Sequence, residues 1–401
     1  EMLQNLVQYT LIGLGIDVVN IGLNTTPTVE VAVPMEKADG GIILTASHNP
    51  KEWNALKLLN NKGEFVSDQD GKAILKIAQE NDFSFATVDH LGKLTHDNQY
   101  IDLHIEKVLA LPLVVPEAIQ KKKFRVVVDA VNSTGGIAIP RLLERLGVEV
   151  VKLYCEPNGH FPHNPEPLKE HLGDICKRVV EEKADFGIVV DPDVDRLAFI
   201  TDQGEMFGEE YTLVACADYV LGKAKGNVVS NLSSSRALRD IAQKHGVSYS
   251  AAAVGEVNVV TEMKRVEAII GGEGNGGIIY PELHYGRDAL VGVALFLSLL
   301  AERSGSVQQL RESYPAYFMS KNKIQLTEQI NPDQILKAME QKYAHEQTTT
   351  IDGLKIDFAD SWVHLRKSNT EPIIRIYTEA KSQKEANALA QRFIEEIRAL
   401  I

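Results

Sequence analysis

The chain alternates between two hydrophobic periods. Over residues 2–14 apolar side chains recur every three or four positions, which predicts a helix; residues 16–21 (IDVVNI) then read as a strand. Thr25, Thr26 and Pro27 open a second helix, and residues 41–44 (GIIL) form a short apolar strand running into Thr45-Ala46-Ser47-His48-Asn49-Pro50. Strand, helix and strand at this spacing predict a βα unit on a parallel sheet. A charged helix near 97–110 and a linker at 111–116 close the first block. The second block has strands at 124–129, 148–153 and 186–190, with helices at 137–146 and 168–182 and a capping Gly147. The third repeats that order, with strands at 227–232, 249–253 and 267–270 and helices at 235–245 and 257–265. The last block differs. Residues 354–358, 362–366 and 373–379 alternate as in an antiparallel sheet. A closing helix at 383–399 carries an apolar stripe through Ala386, Leu389, Ala390, Phe393 and Ile397. The expected fold class is α/β: three doubly wound α/β domains around a cleft plus a C-terminal α+β domain. Their boundaries are expected at 1–115, 116–222, 223–325 and 326–401.

Composition narrows the function classes. The 401 residues are 44% hydrophobic and 24% charged, the balance of a multidomain globular chain. Lys and Arg total 42 against 55 Asp and Glu, a formal charge of −13. That offers no electrostatic footprint for nucleic acid or an anionic membrane. No apolar run reaches the ~18 residues of a spanning helix, and residues 290–301 have the length of a core helix. Three widely spaced cysteines, at 155, 176 and 216, read as reduced thiols of a cytoplasmic protein, not as a disulfide framework or zinc knot. No obligate protein partner is evident.

Four polar loops carry the candidate chemistry. Asp191-Pro192-Asp193-Val194-Asp195-Arg196 follows a buried strand. Its three carboxylates can point the same way if the backbone stays extended. Unpaired they would repel, so a cation is expected, and oxygen-only ligands favour Mg²⁺. A solvated acidic turn is the plainer alternative. Ser47 ends another strand, as a turn former, an N-cap or a nucleophile. His48 beside it could orient the loop or move protons, and Lys57 alone reads as a surface lysine. Gly271-Gly272-Glu273-Gly274-Asn275-Gly276-Gly277 permits close backbone approach to a ligand. Glu273 and Asn275 could both reach vicinal hydroxyls, although a tight bend would need the same glycines. The loop is neither a P-loop nor a dinucleotide fingerprint. Finally, Arg366-Lys367-Ser368-Asn369-Thr370-Glu371-Pro372, with Arg375 beyond it, has the donors of a phosphate cradle or of a solvated hairpin turn.

Taken together, TASHNP, DPDVDR, GEGNGG and RKSNTEPIIR resemble the α-D-phosphohexomutase family in order and spacing over the whole of 1–401. The resemblance implies four domains around a cleft, a Mg²⁺ ion, and transfer of phosphate between the 1- and 6-positions of a hexose phosphate. It implies that Ser47 is phosphorylated and that Asp191, Asp193 and Asp195 bind Mg²⁺ together with the serine's phosphate. Arg196 would lie beside the transferring group, with Lys57 and His48 in the acid/base neighbourhood. Glu273 and Asn275 would hold sugar hydroxyls. Asn275 stands where many members have serine, and Gly277 where many have histidine. Arg366, Ser368, Asn369, Thr370 and Arg375 would grip the phosphate that is not reacting, while Arg287 and Asp288 would help shape the third loop. A hexose 1,6-bisphosphate intermediate would turn end for end.

The form of the third loop and of PELHYGRD resembles phosphoglucosamine and phosphomannose/phosphoglucose mutases. Space left by Gly277 for a 2-amino group favours glucosamine phosphate, with phosphomannomutase/phosphoglucomutase activity as the alternative. A metal-dependent phosphatase and a non-catalytic sugar-phosphate-binding protein are the readings from other classes. Members of that family normally begin with about fifty further residues that complete the first sheet and line the site; without them a sheet edge would be exposed. A missing N-terminal part of the first domain is therefore expected.

Overall fold

Each apolar run interrupted by a polar loop becomes a strand in a computed structural model of the chain, which describes residues 1–49, 53–327, 330–368 and 371–400. In the first unit β1 (Val18–Asn20), β2 (Gly41–Leu44), β3 (Leu56–Leu59) and β4 (Leu94–His96) form two separate pairs. β1 runs parallel to β4, and β2 antiparallel to β3. The helix Asp68–Glu80 of this unit buries no residue.

The second unit orders β5 (Arg125–Asp129), β6 (Glu149–Leu153), β7 (Phe186–Val190) and β8 (Leu197–Ile200) as β6-β5-β7-β8. The third orders β9 (Asn227–Asn231), β10 (Tyr249–Ala252), β11 (Ala268–Glu273) and β12 (Gly277–Ile279) as β10-β9-β11-β12. The repeated architecture legible in the sequence is thus the same strand order twice. In each sheet the first three strands are parallel and the fourth turns back antiparallel.

The C-terminal sheet is antiparallel throughout. It joins β13 (Phe318–Gln325), β14 (Gln347–Thr349), β15 (Leu354–Asp357), β16 (Trp362–Lys367) and β17 (Ile373–Ala380) in the order β13-β17-β16-β15-β14. β13 lies before residue 326 and pairs with the last strand. Leu354, Ile356, Leu365 and Ile374 of the sheet pack with Phe393 of the helix Gln383–Arg398 in a core of their own.

The second and third units share one core, threaded by the helix Ala289–Glu302. That helix is apolar on nearly all sides, which suits burial from every direction. Phe296 stacks on Phe199 with ring centroids 3.8 Å apart, while Phe186 and Phe207 meet it edge-on. The segment expected as a linker is packed: Leu111 and Val114 are buried, and Pro116 starts the helix Pro116–Lys122. Proline is favoured at that first helical position because its missing N–H is not needed there. The three cysteines are free thiols. Among the described residues no helix is long and apolar enough to cross a membrane.

This topology places the chemistry. All four polar loops join neighbouring antiparallel strands: β2–β3, β7–β8, β11–β12 and β16–β17.

Candidate active site

Ser47 sits in the left-handed backbone region, at φ 50°, which is uncommon for a residue with a side chain. The Thr45 hydroxyl accepts its N–H at 2.9 Å, and Asn49 N–H closes a turn on Ala46 at 3.0 Å. The Ser47 hydroxyl donates to Asp191 Oδ2 at 3.3 Å and lies 3.1 Å from His48 Nδ1. On the far side of the imidazole, Nε2 is 3.3 Å from an Arg196 guanidinium nitrogen, which can only donate. His48 therefore carries its proton on Nδ1, aimed at Ser47. Burial first, and Arg196 next, hold the ring below its ordinary value and so neutral. The neighbour of Ser47 orients and donates; it is not placed to take the serine's proton.

The acidic loop corrects one expectation. Its carboxylates converge through a tight turn and not along an extended strand, because β7 must reverse into β8 within a few residues. Val194 N–H bonds Asp191 O at 3.2 Å, and Val194 itself has φ 67°, strained for a β-branched residue. One ligand oxygen from each of the buried Asp191, Asp193 and Asp195 falls within 4.8 Å of the others. Lys57 Nζ bridges Asp193 Oδ2 at 2.6 Å and Asp195 Oδ2 at 3.2 Å. Thr26 Oγ1 donates to Asp193 at 2.7 Å, and Arg287 Nη2 to Asp195 at 2.8 Å.

The charges remain unbalanced around Asp191. Burial, then Asp195 and Asp193, push its carboxyl well above the usual range. Asp195 is held below that range: burial opposes ionisation, but Arg287, Lys57 and Arg196 outweigh it. Lys57 shows the converse, with burial favouring the neutral amine and the two carboxylates keeping it firmly protonated. Asp193 Oδ1 and Asp195 Oδ1 are buried without a hydrogen-bond partner. Two orphaned oxygens in an all-oxygen set beside an uncompensated carboxylate fit a hard divalent cation.

Glu273 ends β11. Its Oε1 accepts Asn231 Nδ2 at 2.8 Å and Gly255 N–H at 3.0 Å, and its Oε2 lies 3.0 Å from Arg287 Nη1. Arg287 also pairs with Glu256 at 2.8 Å, so one guanidinium ties the sugar loop to the acidic turn. Asn275 is half-buried and accepts Gly277 N–H at 3.2 Å. The room expected at Gly277 is already filled: a Cβ there would stand 2.3 Å from Arg287 Cδ. Its missing side chain serves Arg287 and leaves no vacancy for a 2-amino group.

At the other end, Arg366 Nε lies 2.7 Å from Asp352 Oδ2, which also accepts Val254 N–H at 3.0 Å. The phosphate loop thus adjoins Gly255 and Glu273. Arg375 stands directly opposite Arg366 across β16–β17, and Lys323 directly opposite Arg375 across β13–β17. Like charges in facing positions destabilise a sheet unless an anion joins them. Arg375 and Lys323 have no ion-pair partner among the described residues. Ser368 lies in the same loop, its N–H bonded to Ile373 O at 3.1 Å. Asn369 and Thr370, like Pro50, lie outside the described residues.

Family profiles match in chain order: phosphoglucomutase/phosphomannomutase alpha/beta/alpha domain I at 1–85, domain II at 99–204, domain III at 208–317, and the C-terminal domain at 323–396. The chain belongs to the phosphoglucomutase/phosphomannomutase family. Members are phosphohexomutases, isomerase-class phosphotransferases, and this chain is an enzyme of that class. It is 35% identical to a "Phosphoglucomutase/phosphomannomutase" of Thermococcus kodakarensis, over 96% of this chain and 84% of that protein. It is 31% identical to a "Probable phosphoglucosamine mutase" of Methanopyrus kandleri, over 96% and 85%. A solved phosphoglucomutase/phosphomannomutase family protein from Burkholderia thailandensis superposes with a TM-score of 0.84 at 25% identity, covering 97% of this chain and 84% of that one.

Several residues of this phosphohexomutase site have no local sequence signal. Thr26, Asn231, Glu256 and Lys323 are each placed by a distant contact. Glu166, which meets Arg196 Nη1 at 3.1 Å, is another. Arg287, expected only to shape the third loop, also reaches the acidic turn at Asp195.

Proposed function

We propose that the chain interconverts the 6- and 1-phosphates of a hexose through phosphorylated Ser47 and a hexose 1,6-bisphosphate. The observation that carries this reading is Ser47 Oγ 3.3 Å from Asp191, one member of a carboxylate triad bridged by Lys57. The separate cationic row of Arg366, Arg375 and Lys323 supports it, since a mutase must hold one phosphate while moving the other.

In the first half-reaction the P–Oγ bond of phosphoserine breaks and a P–O bond to the free sugar hydroxyl forms; in the second, the bisphosphate's other P–O bond breaks and P–Oγ re-forms. Lys57, protonated in this arrangement, can give a proton to Ser47 Oγ and recover one from the hydroxyl. Its positive charge and that of Arg196 stabilise the equatorial phosphoryl oxygens. His48 Nδ1–H orients the group on Ser47. Glu273 Oε2 keeps a lone pair for a sugar hydroxyl beside its Arg287 contact, with Asn275 as its neighbour. Asp191, Asp193 and Asp195 with Ser47 would hold Mg²⁺, which when bound offsets the carboxylate charge and polarises the phosphoryl group. Return of the second phosphate to Ser47 completes the cycle once the bisphosphate has turned.

Glucosamine 6-phosphate is the favoured substrate, supported by the name of the Methanopyrus kandleri relative. The Thermococcus kodakarensis relative supports glucose and mannose phosphates as the second reading. The test is ³¹P NMR of the phosphorylated protein with Mg²⁺ and a trace of the matching 1,6-bisphosphate. Fastest appearance of glucosamine 1-phosphate is expected. A faster glucose or mannose reaction would move the substrate assignment and keep the mechanism. Release of inorganic phosphate alone would replace the mutase by a phosphatase, and binding without conversion would leave a sugar-phosphate-binding protein.

A further inference from the structure

Behind the acidic turn lies a second cluster of ionisable side chains that the proposed reaction does not use. His104 and Asp288 are fully buried, and Glu30 is 1% exposed. His104 Nε2 is 2.9 Å from Asp288 Oδ2, and His284 Nε2 is 3.3 Å from the same oxygen. Asp288 Oδ1 accepts Leu290 N–H at 2.7 Å as the cap of the helix Ala289–Glu302. His104 Nδ1 lies 3.0 Å from Thr28 Oγ1. The row ends on an acid and on the second ring nitrogen of His284. Glu30 Oε2 stands 3.3 Å from His284 Nδ1, and among the described residues neither atom has a hydrogen-bond partner, so they face each other as an unsatisfied acid and base. A glycine is required for that approach, because a Cβ on Gly286 would fall 1.8 Å from Glu30 Oε2.

The cluster joins two elements that grip the acidic turn from opposite sides. From the Thr26–Glu36 helix, Thr26 donates its N–H to Asp193 O at 2.9 Å and its hydroxyl to Asp193 Oδ2. From the far wall, Ala289 N–H bonds Val194 O at 3.2 Å, and Arg287 holds Asp195. Three successive residues are therefore fixed from two walls, and the middle one, Val194, has the strained backbone. Such strain persists only where the surroundings over-determine it.

We propose that Glu30, His104, His284 and Asp288 are positioning residues, a buried strut that locks the two walls together and holds Asp193, Val194 and Asp195 in cation-binding shape. A proton on Glu30 completes the strut by donation to His284 Nδ1; burial, then Glu256, hold that carboxyl in its protonated form. The strut rests on the phosphohexomutase reading for its purpose, though not for its geometry. A transition metal on His104, His284 and Asp288, whose ligand atoms lie within 4.8 Å, is the competing account. The hydrogen-bond account is favoured because both imidazoles already face Asp288 Oδ2 and occupy its two lone pairs.

The test measures Mn²⁺ binding by electron paramagnetic resonance, together with the Mg²⁺ dependence of turnover, on the full chain and three variants. His284→Leu removes both ring nitrogens and so releases Glu30 and Asp288. Glu30→Ala removes the acid, and Glu30→Gln keeps a donor. Loss of a group that orients a metal ligand typically costs about 10–100-fold in metal affinity or activity. We expect that loss in His284→Leu and Glu30→Ala, with Glu30→Gln close to the parent. Wild-type Mn²⁺ affinity in folded His284→Leu would overturn the strut, even if Glu30→Ala fails to fold. One equivalent of transition metal retained by the parent and lost in His284→Leu would overturn it in favour of a metal centre. Mn²⁺ binding needs no turnover, so an inactive parent would sink the mutase reading while leaving the strut to be judged separately.

Discussion

Around Ser47 and the acidic turn, the carboxylates are buried and the groups that answer them are buried or half-buried: Lys57, Thr26, Arg287 and the Ser47 hydroxyl each touch a named carboxylate oxygen. Around Arg366 the groups stand on an open sheet end. Among the described residues only one of three facing cations has a carboxylate partner, and Lys323 is exposed. The difference suits what the proposed reaction asks of each end. In that reaction charge develops in the transferring phosphoryl group, and dipoles fixed beforehand stabilise it at no reorganisation cost. The proposed distal cradle would accept either phosphate of a bisphosphate in turn, which calls for charge without a closed frame.

Substitution at the rigid end should break this contrast most sharply. Ser47→Ala removes the proposed phosphoryl carrier and should lower kcat by about 10⁴-fold or more, with the fold retained. Circular dichroism and the ³¹P assay check it together, and appreciable turnover in the variant would remove Ser47 from the chemistry. Asp193→Asn keeps the shape but weakens the anchors of Lys57 and Thr26. A loss of about 10²–10³-fold in kcat and a higher Mg²⁺ requirement are expected. Chelation of the parent with EDTA should abolish turnover and Mg²⁺ restore it; unaltered activity after chelation would remove the cation from the mechanism.

Most of the frame around these groups was legible because strands are local objects. Residues 186–190 and 268–273 are apolar runs ending in polar loops, and their period and termini need no distant partner to be read. The loops' conformations were not legible. Valine disfavours the left-handed region, so nothing at Val194 announced the turn that brings three carboxylates together. Gly277 misled for a related reason: a missing side chain signals close approach but not by what, and the visitor proved to be Arg287. Pairings such as Lys57 with Asp193, 136 residues apart, belong to the packing of separate units and leave no periodic trace. The same holds for the row from Lys323 to Arg366, which exists only once the register of β13, β17 and β16 is known.

At the open end the expected effects fall on binding. Arg366→Ala should raise KM for the sugar phosphate by about 10–100-fold, the worth of one charge-assisted hydrogen bond to a phosphate, with kcat changed far less. Lys323→Ala should raise it by only about 2–5-fold, since its reach from an exposed strand is screened by solvent. That smaller loss should shrink further at high salt. Equal effects of Arg366→Ala on kcat and KM would show that this end, too, is framed for the transition state.

The last expected effect falls on stability and tests how the two ends are joined. His364 lies between the third unit and the C-terminal sheet, with Nε2 2.7 Å from Asp352 O and Nδ1 2.9 Å from Ser233 Oγ. The neutral ring satisfies both: Nε2–H donates to the carbonyl, and Nδ1 accepts the hydroxyl proton. Burial first, and the charge of Lys355 as well, push its pKa from 6.5 down to about 4. Between those values the unfolded chain binds a proton that the folded one does not. The contribution of His364 is therefore complete above about pH 6.5 and declines as the pH falls toward 4, by on the order of 3 kcal/mol. Buried carboxyls such as Glu256, pushed up to about 7, work in the opposite sense, since their protonated form is the one that folding favours. Comparison of variants separates the two. Urea denaturation of the parent and of His364→Gln at pH 7.5, 6 and 4.5 should show the parent's excess stability shrinking stepwise with acid. Parallel stability curves for the two proteins would mean that this contact carries no proton linkage, and that the other polar contacts across the seam, such as Val254 N–H to Asp352, join the two ends without it.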